Sequence, residues 1–555
     1  MPKAHPSAAP NTEDCSRYAG RWVAVVNGRV VGQGGTPEQA RLAARQMRFK
    51  EIPEVTYVST PKPLSFPALL ERIAQALPAA QPVYLVGGAV RDAMLGRPVH
   101  DLDFVLGGDG MGIARALANR LGAAYYPLDE SRGYARVVLQ EAGATRFMLD
   151  FAPFDGPDLE SDLHRRDFTL NAMAVEVHNP QQVFDPLGGA ADLWAKRLRA
   201  CTPQAFANDP VRILRAVRQA AALGLKIQPE TRTWMRQAVP LLEQTSPERL
   251  RDELLRMLGG RQPAASLRAL DLLGALPYVL PELPALKGVV QSPPHTLDTW
   301  EHTLEVVSRL EALLEVLAPE YDPDKAASLI LGLAVLRLGR YRSQIADHLG
   351  NQLNPDRTVR SLLFMAALYH DTGKPETRSQ EPAGRIRFLG HEEASERMAA
   401  ARAQHYRLSN AEVERVTAVV RHHMRPLLLL QTGEPVSRKA VYRFFRALGP
   451  AGVEVCLLSL ADMLGTYGNT LRQEDWARLL EVVRALLEAW WEKPEDSVAP
   501  RVLLNGSDLM AHFHLPPGPQ IGRLLEAIRE AQAEGQVSTR AQALELAAQV
   551  LSESL

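Results

Sequence analysis

Apolar and polar residues alternate through Arg21–Gly34 as two short runs joined by Asn27-Gly28, the dipeptide that most readily closes a tight hairpin. Thr36 then stands as the N-cap of a helical run, TPEQARLAARQMRFK, with Glu38 in its first turn, and EVTYVST returns to strand alternation. Residues 17–62 therefore predict a small ββαβ module of unassigned role, closed by a Pro61-Lys62-Pro63 linker. Residues 1–16, rich in Pro, Ala, Ser and Asn, are expected to be disordered. From 63 to 190 helix and strand patterns interleave: helix FPALLERIAQAL, strand PVYLVGG, helix AVRDAMLG, strand DLDFVLG, helix MGIARALANRLGA, then strands around ARVVLQ and TRFMLDFAP. After 190 the strands stop. Amphipathic helices run to about 490, broken by LPELP and QSPPH, and residues 496–555 form two or three short helices, the second tail helix capped by Ser538 or Thr539. The pattern predicts an α+β chain with a mixed α/β head at 63–190, a helical neck at 191–285, an all-helical domain at 286–495 and a C-terminal helical domain at 496–555.

At 555 residues the chain is too long for one core. Its 46% hydrophobic and 23% charged residues are those of a globular protein. No apolar run is long enough to span a bilayer, and the first twenty residues lack the basic and apolar regions of a signal peptide, so a cytoplasmic location is expected. Cys15, Cys201 and Cys456 are too scattered for a disulfide framework or a zinc knuckle. The net charge of −1 gives no bulk attraction to nucleic acid, so any RNA contact must come from local basic faces.

The densest chemistry lies in LVGGAVRDAMLGRPVHDLDFVL. Gly87-Gly88 ends a strand and opens a helix, which lets backbone N–H groups approach a phosphate, and Arg91 adds a cation for a triphosphate. Asp101 and Asp103, two apart on a strand, point to one face and offer hard oxygen donors that suit Mg²⁺. Asp150, on a later strand, is the best placed third carboxylate for a two-metal site that activates a ribose 3′-hydroxyl against an α-phosphate. The three elements were expected to form one βαβ unit.

This segment resembles the signature of the class II CCA-adding enzyme and bacterial poly(A) polymerase family, within the DNA polymerase β-like nucleotidyltransferases. Further matches follow in order over roughly 83–285: Asp162 through Ala172, including Arg165, Arg166, Asp167 and Asn171, resembles the ribose-recognition motif; Asp185-Pro186-Leu187-Gly188-Gly189 with Asp192-Leu193 resembles the turn before the neck; Asn208-Asp209-Pro210-Val211-Arg212, continuing to Arg215, resembles the base-selecting motif; and Ser246 through Glu253 resembles the helical motif after it. The resemblance implies a tRNA nucleotidyltransferase that uses CTP and ATP without a nucleic-acid template, with Asp162 and Asp167 both answering to the ribose contact. Asp209 and Arg212, three apart and expected to share a helical face, would accept from an exocyclic amine and donate to ring acceptors, which welcomes C and A and rejects U and G. Asn208 stands where the family usually has an acidic residue. CCA- and A-adding members carry a longer flexible loop where only about fifteen residues separate Asp150 from Arg165; CC-adding members resemble this shortened form. The expected product is therefore CC or the full CCA; a CC-adding enzyme would work with a separate A-adding partner. A poly(A) polymerase or A-adding enzyme, and a metal phosphohydrolase whose head only binds RNA, are the alternatives.

In the helical region His302, His370, Asp371, Lys374, His391, the pair His422-His423 and Asp462 recur in the order of the HD metal-dependent phosphohydrolases. That resemblance implies a divalent-metal site of His302, His370, Asp371, His391, His422 and Asp462, with His295 and His423 as bystanders, acting on 2′,3′-cyclic or 2′-phosphate ends. His422 falls where the superfamily places its ligand, although the residues alone do not separate it from His423. The tail resembles the small C-terminal domain of HD-bearing members, which contacts the tRNA body or serves packing.

Overall fold

Leu102, Phe104 and Leu106 turn to one side of a strand and are almost fully buried, whereas Asp101 and Asp103 turn to the other and line a cavity there. At about 1.5–3 kcal/mol per buried large apolar side chain, this core fixes the register, since a slip of one residue would drive both aspartates into it. The chain divides into two compact units, Met1–Leu241 and Leu242–Leu555. The computed structural model describes residues 18, 20–47, 51–58, 63–78, 80–140, 146–320, 328–355, 357–432 and 435–553; the expected disordered segment 1–16, Cys15, the end of the first helical run and the start of the Pro61 linker lie outside them.

In the first unit, β1 (Arg21–Val26), β2 (Arg29–Gly34), α1 (Pro37–Gln46) and β3 (Glu54–Val58) form an antiparallel sheet of order β2-β1-β3 with one helix. Thr36 caps α1 by accepting from Gln39 N at 3.2 Å. The head follows as α2 (Leu69–Ala76), β4 (Val83–Val86), α3 (Gly88–Met94), β5 (Asp101–Leu106), α4 (Gly110–Leu121), β6 (Ala124–Asp129), β7 (Tyr134–Gln140), β8 (Arg146–Pro153), α5 (Leu159–His164), β9 (Ala174–Glu176), β10 (Asn179–Phe184) and α6 (Gly189–Trp194). Its seven strands have the order β10-β9-β4-β5-β8-β7-β6. Leu70, Ile73, Val90, Leu117 and Leu193 from the helices pack against Leu85, Phe104, Leu149 and Phe151, so helices cover one face of the sheet.

β4 and β5, joined through the seven-residue α3, pair antiparallel and not as a βαβ unit. The parallel pair is β5 with β8. Strands β6, β9 and β10 were not anticipated: β6 carries Pro127, tolerated because it is an edge strand, and β9 is three residues long. Strands also do not stop at 190, since Arg197–Leu198 pairs with Lys226–Ile227 in this unit. The unit ends with α7 (Ala205–Asn208), α8 (Arg212–Leu223) and the helix Pro229–Ala238.

The second unit is helical apart from two short antiparallel pairs, Gln352–Asn354 with Arg357–Thr358 and Ser379–Gln380 with Ile386–Arg387. Its last helices, Gly506–Phe513, Pro519–Glu534 and Arg540–Glu553, share a small core around Leu509, Leu524 and Ile528. Among the described residues no single helix is long and apolar enough to cross a membrane.

Candidate active site and metal centre

The face of the head's sheet opposite its main core, which α5 covers in part through Leu159 and Leu163 against Val86 and Val105, gathers the carboxylates. In the parallel β5–β8 register Asp103 is paired with Asp150, and Arg136 on β7 is paired with Asp150 from the other side. Arg136 donates to both oxygens of Asp150, Nε to Oδ1 at 2.7 Å and Nη2 to Oδ2 at 2.8 Å. Desolvation at the floor of the cleft raises the Asp103 pKa, and the like charges of Asp150 and Asp101 add to it against Arg166 and Arg215. A divalent cation would relieve this repulsion, and carboxylate oxygens are the hard donors such an ion takes. Gly87 links β4 to α3 at φ 77°, where a Cβ would lie 3.7 Å from Asp103 Oδ2 and 3.4 Å from Arg166 Nη1.

Beside the carboxylates four of the expected nucleotide contacts, Arg91, Asp167, Asn171 and Arg215, form one hydrogen-bonded set. Arg91 Nη1 donates to Asn171 Oδ1 at 2.7 Å, and the Asn171 amide donates to Asp167 at 2.9 Å and to Gln219 at 3.0 Å. Arg215 on α8 donates to the other Asp167 oxygen at 2.5 Å. Gly88, Arg91, Asp101, Asp103, Asn171 and Arg215 line a cavity of about 400 Å³, together with Arg218 and Gln219, which sequence reasoning missed. Asp162 and Asp167, the two expected ribose contacts, are both buried, at 5% and 7% exposure, and each is committed to an arginine. Asp162 accepts from Arg166 at 2.9 and 3.0 Å and from Asp155 N at 3.0 Å. Arg165 turns outward and pairs with Asp155 at 2.6 Å.

Asp209 and Arg212 form an ion pair at 3.7 Å, but not as neighbours on one helix. Asp209 is extended (φ −151°, ψ 93°), as the residue before Pro210 prefers, and α8 starts only at Arg212. Arg212 is further tied to the carbonyls of Arg165 (3.1 Å) and Arg166 (3.3 Å).

In the second unit five helices bring His302, His370, Asp371, His391, His423 and Asp462 together. His302 Nε2 lies 3.1 Å from Asp462 Oδ1 and 3.5 Å from Asp371 Oδ2; His370 and His391 Nε2 lie 3.2 and 3.3 Å from Asp371. His302, His370 and Asp371, and likewise Asp371, His391 and His423, present ligand atoms within 4.8 Å of one another. The Nδ1–H of His370, His391 and His423 donates to the carbonyls of Ala367, Phe388 and Val420 at 2.8, 2.9 and 2.8 Å, which turns each Nε2 lone pair inward. The buried Nε2 atoms of His302, His370 and His391 make no hydrogen bond. Converging imidazole nitrogens beside two buried carboxylates are a donor set that a divalent ion would fit. Burial lowers the His423 pKa to about 3, keeping it neutral. Lys374 bridges Asp371 (2.6 Å) and Gln291 (2.6 Å) at the wall of a cavity of about 850 Å³.

His422 is a correction. Val416, Val419, Val420 and His423 form the buried stripe of the helix beginning at Asn410, so His423 faces the cluster. His422 is half-exposed, and the charges that act on it are Arg425 and Arg421. His295, set aside as a bystander, stacks edge-on against His302 at 5.0 Å.

The fold and its carboxylate face define a polymerase-type nucleotidyltransferase head, followed by a helical HD unit. Residues 83–199 match the "Poly A polymerase head domain", 224–286 the "Probable RNA and SrmB- binding site of polymerase A", 335–465 the "HD domain", 500–548 tRNA nucleotidyltransferase domain 2, and 14–62 a family of unknown function. The CC-adding tRNA nucleotidyltransferase of Geobacter sulfurreducens is 34% identical over 83% of this chain and 90% of its own length. The A-adding tRNA nucleotidyltransferase of Deinococcus radiodurans is 34% identical over 82% and 92%. A CCA-adding enzyme solved with CTP aligns over 88% of this chain and 96% of its own, with a TM-score of 0.54 at 21% identity, a likeness of fold. The chain belongs to the class II tRNA nucleotidyltransferase family, in its form with an HD domain, and is a nucleotidyltransferase. The separate A-adding partner has no support in these comparisons.

Proposed function

We propose that this tRNA nucleotidyltransferase adds CMP residues to the tRNA 3′ end and stops at CC. One observation carries it: only Phe154–Asp158 separates β8 from α5, and that connection is closed. Asp155 N donates to buried Asp162, Arg165 pairs with Asp155, and Asp158 caps α5 by accepting from Ser161 N at 2.8 Å. A segment tied at three points has little freedom to remodel the base pocket between C and A. Further support is that the CC-adding enzymes of Geobacter sulfurreducens and Thermus thermophilus align over 83% and 82% of this chain at 34–35% identity, whereas the multifunctional CCA protein of Xanthomonas campestris aligns over 42% of it.

Asp209 and Arg212 would read the base, and Arg91, Asn171 and Arg215 would hold the triphosphate side of the nucleotide. Asp101 and Asp103, with Asp150 beside them, would hold divalent cations, Mg²⁺ by the hardness of the donors, which when bound neutralise the phosphates and acidify the attacking hydroxyl. In the second unit His302, His370, Asp371, His391, His423 and Asp462 would hold a divalent ion for hydrolysis of a 2′,3′-cyclic or 2′-phosphate end. The protein would act in the cytoplasm, where its tRNA substrate lies.

The test supplies tRNA transcripts ending before the tail, after C and after CC, with CTP and ATP given separately. Two CMP additions and no AMP addition are expected; AMP added to the CC transcript overturns the proposal. Asp101→Ala with Asp103→Ala should abolish transfer. His370→Ala with Asp371→Ala should spare it and abolish 2′,3′-cyclic CMP hydrolysis.

A further inference from the structure

Three parts of the N-terminal module grip one short stretch of the head, Val183–Pro186, where β10 ends. Gly35 O accepts from Asp185 N at 3.0 Å. The Gln39 amide donates to Pro186 O at 2.6 Å while its oxygen accepts from Gly35 N at 3.0 Å. The Tyr57 hydroxyl accepts from Val183 N at 3.3 Å, and the Tyr57 ring packs against the main core of the head. The fit is close: a Cβ on Gly35 would stand 1.2 Å from Asp185 O.

From Asp185 the contacts continue inward. Its buried carboxylate accepts from Gly189 N at 2.7 Å and Ala190 N at 3.0 Å, which pins the first turn of α6. Gly189 abuts Thr169 so closely that a Cβ would lie 2.0 Å from Thr169 O. Asp192, further along α6, accepts from Thr169 Oγ1 at 2.8 Å. Thr169 opens the 3-10 turn that ends at Asn171, which accepts from Arg91 Nη1 at 2.7 Å while Asp92 holds the Nε and Nη2 edge of the same guanidinium. Each step is a hydrogen bond or a backbone contact, so a shift at Val183–Pro186 is transmitted with little slack.

We infer that the module is a buttress of the nucleotide pocket. By docking on Val183–Pro186 it sets the position of Thr169–Asn171, and through Asn171 the placement of Arg91. Gly35, Gln39 and Tyr57 are positioning residues for nucleotidyl transfer. No described residue of the module lines the 400 Å³ cavity, so its effect is exerted at a distance and falls on the nucleotide, not on the RNA. The inference rests on Asn171 and Arg91 facing the incoming nucleoside triphosphate.

The test uses full-length protein carrying Gln39→Ala, Tyr57→Phe or both, alongside wild type and Arg91→Ala. CMP incorporation into a tRNA transcript lacking its tail is measured with CTP and tRNA varied separately. Tyr57→Phe keeps the ring in the core and removes only the hydroxyl, so this variant folds even if the double variant does not. Loss of one or two hydrogen bonds from the dock should raise KM for CTP about three- to tenfold with KM for tRNA unchanged. Arg91→Ala should raise KM for CTP as well. If Arg91→Ala raises it and the module variants do not, the buttress is overturned. If Arg91→Ala also leaves it unchanged, the pocket assignment beneath fails. A rise confined to KM for tRNA overturns the buttress in favour of an RNA-binding module.

Discussion

Arg136 holds Asp150 in a two-pronged grip, Nε on Oδ1 and Nη2 on Oδ2, one strand away from Asp103. The fork fixes the rotamer of a carboxylate that would otherwise swing away from Asp103, which repels it. Arg136→Ala should lower kcat for CMP transfer by about tenfold or more while leaving KM for CTP near wild type. Arg136→Lys keeps the charge but not the fork and should recover only part of the rate. Single-turnover CMP incorporation distinguishes these outcomes, and wild-type kcat in Arg136→Ala would exclude a positioning role.

The two adjacent histidines after Val420 give a paired prediction. His423 has its Nδ1–H on the Val420 carbonyl and its ring 5.2 Å from His370 and 5.4 Å from His391. His422 has none of these contacts. His423→Ala should therefore weaken retention of a bound divalent ion by about 10–100-fold or more, whereas His422→Ala should retain it as wild type does. Metal content after dialysis measures both, and the reverse order would move the ligand back to His422.

What could be read from the residues was what depends on period. Two-residue spacing along β5 put Asp101 and Asp103 on one face, and the face is as expected. The stripe Val416, Val419, Val420, His423 was equally legible, and following it would have chosen His423 over its neighbour. What could not be read was register between segments. Arg136 meets Asp150 only because β7 and β8 pair as they do, and Gln219 meets Asn171 across forty-eight positions of sequence. The helical rationale for Asp209 and Arg212 failed because Pro210 forces an extended residue before it, yet the turn that results still closes the pair.

In the proposed reading, base choice turns on Asp209. A carboxylate accepts from the amine of cytosine or adenine and repels the carbonyl of uracil, whereas an amide can present either group. Asp209→Asn should lower the preference for CTP over UTP by about 10–100-fold, mostly through UTP gaining. Incorporation from each nucleotide on one transcript gives the ratio, and an unchanged ratio would remove Asp209 from base reading.

Asp167 links the nucleotide pocket to acid stability. Burial alone would raise its pKa, but Arg215, the Asn171 amide and Phe168 N outweigh burial and hold it below the ordinary carboxylate range. A pKa depressed in the folded state contributes stability that is complete above the unfolded value of about 4 and is lost as pH falls through the folded value. Replacing Asp167 with Asn removes this proton-linked contribution and leaves Arg215 without its 2.5 Å partner. At neutral pH the calorimetric transition that CTP shifts upward, which reports the head, should thus lie lower in Asp167→Asn than in wild type. As the pH drops below about 4 the carboxylate of the unfolded wild-type chain protonates first, the folded one only at still lower pH, and over this range the gap between the two proteins should narrow. A gap that stays constant from neutral pH through this acid range would show that Asp167 gains nothing from its arginine.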